Sequence, residues 1–93
     1  MTFDRAREYR RALIDVKLTE LGLYAKELCP EGAVEMSTVR YEDEDGHVTL
    51  VVPPTCSEQE EDRIELALAA RAGDIFEATG LFIVCGVLDR PAR

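Results

Sequence analysis

"HVTLVVPPTCSEQEEDRIELALAARAGDIF", residues 47–76, changes from one backbone period to another, and that change decides the fold. The first part has period two. Val48, Leu50 and Val52 share one side of a strand, and His47, Thr49 and Val51 share the other. Pro53 and Pro54 lack the N–H that a strand ladder needs, so the strand stops there. Thr55 with Glu58, or Ser57 with Glu60, has the spacing of a helix capping box. Glu58, Glu60, Glu61 and Asp62 then meet the positive end of a helix dipole. Ile64, Leu68, Ala72 and Ile75 form a helical stripe, widened by Ala67 and Phe76, which predicts a helix over 57–79. Gly80 is placed to cap its C-terminus.

Downstream, "LFIVCGVL" (81–88) is apolar at nearly every position and reads as a strand covered on both faces. Two strands of one sheet joined through a helix run parallel, with a right-handed crossover. Upstream, "AVEMSTVRYE" (33–42) reads as a strand, and "DEDG" (43–46) as a hairpin turn with Asp45-Gly46 as its signal. Residues 2–28 read as one long helix. Ile14, Leu18, Leu21, Ala25 and Leu28 form its main stripe, and Ala6, Tyr9, Leu13 and Val16 form a second stripe beside it. Gly22 weakens the helix interior slightly.

The fold class expected is therefore α+β. It is a two-layer α-β-β-α-β sandwich with a three-stranded mixed sheet and both helices on one face. The whole chain, 1–93, forms a single domain with helix 2–28, hairpin 33–53, helix 57–79 and strand 81–88. The strand order, 1-2-3 or 2-1-3, stays open at this level.

Charge is uneven. Residues 1–28 hold six Lys/Arg against five Asp/Glu, and residues 29–93 hold five against fourteen. A net charge of −8 disfavours nucleic acid, because phosphate contacts need clustered cations. Arg5, Arg7, Arg10 and Arg11 are the local exception and read as a solvated helix end. No apolar run reaches membrane-spanning length, and no short apolar segment follows a basic start, so neither a span nor a secretory signal is expected. Three cysteines without framework spacing fit reduced thiols and a cytoplasmic location.

The chemical constellations are sparse. Placing Gly46 at position 6 of a calcium loop puts Tyr41 and Val52 at its end positions, where carboxylates are required. His47 and Cys56 lie at opposite ends of a strand, roughly 30 Å apart in an extended chain, too far for a catalytic dyad. No phosphate-binding glycine pattern occurs. An enzyme is not expected, nor a bound cofactor. The topology does bring Cys29, Cys56 and Cys85 toward one end of the sheet, where three thiolates could hold a metal. Cys56, near a helix start, also has the dipole to lower its pKa.

The element order over 30–88, with Cys56 on the turn "PTCSEQE" between the second strand and the second helix, resembles the small iron–sulfur assembly modules. Those modules carry CxxC or Gly-Cys-Pro at this turn. Type II KH domains share a related order but require a GxxG loop, which does not occur here. The resemblance implies an alternative function, a thiol-based metal or iron–sulfur carrier using Cys29, Cys56 and Cys85.

The leading expectation is different: a small acidic, non-enzymatic interaction or regulatory module that forms a homodimer or engages a protein partner. A helix over 2–28 spans roughly 40 Å, more than a small sheet can cover. The uncovered sheet face is also apolar in part. Tyr9, Leu13 and Val16 on the helix, and Val39, Tyr41 and Val51 on the sheet, are the candidate interface residues.

Overall fold

The computed structural model describes residues 2–38 and 44–89, and the side chains of all of these except residues 2–4 and 6. Its order is α1 (Thr2–Leu28), β1 (Ala33–Ser37), β2 (Gly46–Val52), α2 (Glu58–Thr79) and β3 (Ile83–Asp89). The three strands form one mixed sheet in the order β1-β2-β3. β1 runs antiparallel to β2, with Val34 opposite Leu50, and β2 runs parallel to β3, with Val48 opposite Cys85. The order 1-2-3 leaves β3 at a free edge.

Alternation along β2 sorts the two faces. Gly46, Val48, Leu50 and Val52 are buried, whereas His47, Thr49 and Val51 are half-buried. Both helices cover the first set. Leu18 and Leu21 of α1 meet Val48, Ile83 and α2's Ala72 and Ile75 in one cluster. Ala25 and Cys29 meet Leu50, Val52, Ile64 and Leu68 in a second cluster. Val34 and Cys85 pack against both. Leu21, Leu50, Ile64 and Leu68 are fully buried, and each contributes roughly 2–3 kcal/mol by leaving water.

Local chemistry fixes the element ends. Of the two capping boxes, Ser57 makes the cap: its side chain accepts the Glu60 N–H at 3.1 Å. Gly80 closes α2 in the left-handed conformation (φ 77°), and its N–H donates to the Phe76 carbonyl.

The Asp45-Gly46 pair departs from the turn reading. Gly46 is the first residue of β2, and the only positive φ among the described residues is at Gly80. A Cβ at Gly46 would stand 3.1 Å from a Leu18 methyl and 3.2 Å from the Ser37 carbonyl, so glycine there allows α1 to approach the sheet. Gly22 serves the same contact from the helix side, where a Cβ would lie 3.0 Å from the Met36 sulfur. Asp45 is buried and joins three elements. Its carboxylate accepts from Arg10 of α1 at 2.9 Å and from the Phe82 N–H at 2.8 Å, and its own N–H donates to the Phe82 carbonyl. β3 begins at Ile83, two residues later than the apolar run suggests, and the Asp45–Phe82 bonds hold the chain just before it.

Among the described residues, β3 is not covered on both faces. Val84 and Gly86 on the helix-free side are half-buried, and Leu88 is exposed. Among the described residues, no helix is long and apolar enough to cross a membrane.

Candidate functional site

The cysteines separate into a pair and a single residue. Cys29, at the end of α1, and Cys56, just before α2, line one small cleft of about 330 Å³ together with Thr55, Ser57 and Glu60. Cys29 is buried and Cys56 half-buried, and the Cys56 thiol donates to the Ser57 carbonyl at 3.7 Å. The place of Cys56 before α2 does not leave its pKa lowered. Partial burial pushes its pKa up first, and then Cys29 when ionised, Glu60 and Asp89 add to this, because negative charge nearby opposes a thiolate. Cys85 is elsewhere. As the third residue of β3 it pairs with Val48, about 13 Å along the strand from Val52, and burial pushes its pKa up to about 11. Its expected position near the strand end assumed a strand over 81–88, and the late start of β3 moves it toward the other end. Among the described residues, no group of three His, Cys, Asp or Glu side chains comes together to hold a metal ion.

His47 lies on the helix-free face near the start of β2, with its Nε2 4.0 Å from the buried Glu44 carboxylate. Cys56 follows the other end of the same strand.

The interaction candidates are more informative. Tyr9 (71% exposed) and Val16 (58%) stand in solvent on α1. Leu13 is half-buried and packs against the chain's own core. Val51 is half-buried on the helix-free sheet face, opposite Ala33. Val39 and Tyr41 lie outside the described residues. The second helical stripe divides: Leu13 packs beside the first stripe, whereas Tyr9 and Val16 turn away from it. At about 100° per residue, Val16 is some 200° from both Ile14 and Leu18, so it points away from the core.

Sequence reasoning missed the full extent of this outward stripe. Leu23 is 64% exposed and lies seven residues beyond Val16, which lies seven beyond Tyr9. Ala12 and Thr19 fall between them and are also exposed. Tyr9, Ala12, Val16, Thr19 and Leu23 step by 3, 4, 3 and 4, the spacing of a helix-pairing seam. That spacing was available in the sequence.

A second surface lies between α2 and the free edge of β3. It is an open groove of about 770 Å³, walled by Ala69, Ala72, Gly73 and Phe76 on one side and by Phe82, Ile83, Val84 and Cys85 on the other. The Phe76 and Phe82 rings meet edge to face with centroids 6.4 Å apart. Arg10 and Asp45 close one end.

No family model, curated protein or solved structure matches this chain.

Proposed function

We propose that this chain is a non-enzymatic interaction module of the reducing cytoplasm that acts as a homodimer paired through α1. One observation carries the reading: the exposed Tyr9–Ala12–Val16–Thr19–Leu23 seam lies on the side of α1 opposite its buried stripe. A helix that is apolar on two opposite sides fits between two packed bodies, and the described residues of the chain supply one of them.

Charge selects the direction of pairing. A parallel pair would set Arg5, Arg7, Arg10 and Arg11 against their own copies. An antiparallel pair centred on Val16 sets Tyr9 against Leu23 of the partner subunit and brings the arginine-rich end toward Glu27. The free thiols of Cys29, Cys56 and Cys85 suit a reducing compartment. The separation of His47 from Cys56 leaves nucleophilic catalysis without a base.

Light scattering after size exclusion at micromolar concentration tests this. The expected mass is twice 10.4 kDa, and it should fall to 10.4 kDa in a Val16→Glu/Leu23→Glu double variant. A wild-type mass of 10.4 kDa, or a double variant that stays dimeric, overturns pairing through α1.

A further inference from the structure

Three of the four arginines near the start of α1 lie on its core-facing side. At about 100° per residue, Arg7, Arg10 and Arg11 fall within roughly 60° of Ile14, opposite the Tyr9–Val16–Leu23 seam. They line a cleft of about 540 Å³, in which Asp15 and Asp45 are the carboxylates. The cleft therefore carries three cations against two anions, in a chain whose net charge is −8. Asp45 is committed to Arg10 and the Phe82 N–H. Arg10 gives Asp45 one terminal nitrogen and stays 55% exposed. Arg7 and Arg11 make no ion pair among the described residues.

Arg10 and Asp45 also close one end of the groove between α2 and β3, so the cationic cleft and the apolar groove meet at this pair. α2 lines the groove from Ala69 to Gly80, a run of about 16 Å. Its volume of about 770 Å³ is that of a small-molecule site, and its described walls are apolar away from the Arg10 end. Beyond Ala69 the same side of α2 continues with Glu65 and Asp62, which are exposed and do not line the groove. The hollow thus runs from a cationic end toward an acidic one.

We propose that the groove binds a linear alkyl carboxylate, a free fatty acid of medium length. The alkyl chain lies along α2 against Phe76, Phe82 and Ile83. The carboxylate sits at the Arg10 end, where Arg7 and Arg11 supply uncommitted guanidinium groups. The polarity fixes the orientation, because a reversed ligand would bring its carboxylate toward Glu65 and Asp62. The proposal goes beyond the interaction-module reading and does not rest on pairing through α1, whose seam is on the other side of that helix.

Isothermal titration of the full chain with decanoate, decanol and decylammonium, each below its micellar concentration, separates head from tail. Decanoate should bind with a Kd of roughly 10–100 µM, and at least about tenfold more tightly than the other two. The comparison is stringent, because the net charge of −8 favours decylammonium over the protein as a whole. Gly73→Leu should weaken decanoate at least about tenfold. No atom lies within 4 Å of the Cβ position there, and leucine favours a helix, so the variant fills the groove and keeps the fold. Arg7→Gln with Arg11→Gln should bring decanoate to the affinity of decanol and leave decanol unchanged, while Arg10 still holds Asp45. Amide shift changes should concentrate at 82–85 and around Gly73 and Phe76. Undetectable decanoate binding, equal or tighter binding of decylammonium, or an unaffected variant of either kind overturns the proposal. So do shifts centred on His47, Thr49 and Val51. Association with phosphatidylcholine vesicles in place of free decanoate overturns it too, and would make the groove a membrane contact. Light scattering on the same samples reports on α1 pairing separately, so each reading can fail without the other.

Discussion

The two apolar stripes of α1 share one spacing and have opposite surroundings. Ile14, Leu18, Leu21, Ala25 and Leu28 step by 4, 3, 4 and 3 and lie against the sheet and α2, with Leu18, Leu21 and Ala25 buried. Tyr9, Ala12, Val16, Thr19 and Leu23 step by 3, 4, 3 and 4 and face water. Helical period alone does not distinguish them. The deciding difference is what each can reach. The inward stripe is matched by glycine on both contacting surfaces, Gly22 on the helix and Gly46 on the sheet, which lets the backbones approach. The outward stripe has no such counterpart among the described residues.

Substitution of Leu21 should break the inward side most. It is fully buried, and Leu21→Ala should cost about 2–5 kcal/mol in urea unfolding, through lost burial and the cavity left behind. A loss under about 1 kcal/mol would mean that the core relaxes around α1.

A second measurement probes the core floor beneath both helices. The Cys85 thiol, with an ordinary pKa of 9.0, is pushed up to about 11 by burial. Above pH 9 the unfolded chain loses this proton while the folded chain keeps it. Its contribution is therefore complete below pH 9, falls between 9 and about 11, and then levels off. Urea midpoints at pH 8 and 10.5 should show a wild-type loss larger than that of Cys85→Ala, by about 2 kcal/mol at most. Equal slopes would place the thiol in solvent.

The smallest effect belongs to the outward side. Leu23→Ala should change the stability of the dilute monomer by less than about 0.5 kcal/mol, because Leu23 is already 64% exposed. Its effect should appear in the dimer dissociation constant measured by sedimentation. A large monomer loss would erase the distinction between the stripes.

Most of the fold was legible because its signals are local. Alternation at 47–52, the two prolines and the Ser57 cap locate the turn from β2 to α2 within a residue. The less legible parts depend on tertiary contact. Asp45-Gly46 has the composition of a turn. The pair instead supplies a buried carboxylate for Phe82 and Arg10 and a bare backbone for Leu18, which no neighbouring residue announces. The start of β3 at Ile83 sets the position of Cys85 in the strand. The groove was legible only as ingredients: small residues on α2 and an apolar strand. It takes shape once the order β1-β2-β3 leaves β3 at an edge.

The Asp45 carboxylate also has a thermodynamic consequence. It holds Arg10 of α1 with one oxygen and the Phe82 backbone with the other. Arg10 belongs to the helix that carries the outward seam, and Phe82 forms part of the groove wall. The two surfaces thus share a buried hinge pin. A shift of Phe82 that loosens the hold on Arg10 would be felt at α1, and by reciprocity a ligand on either surface would change the affinity of the other by the same factor.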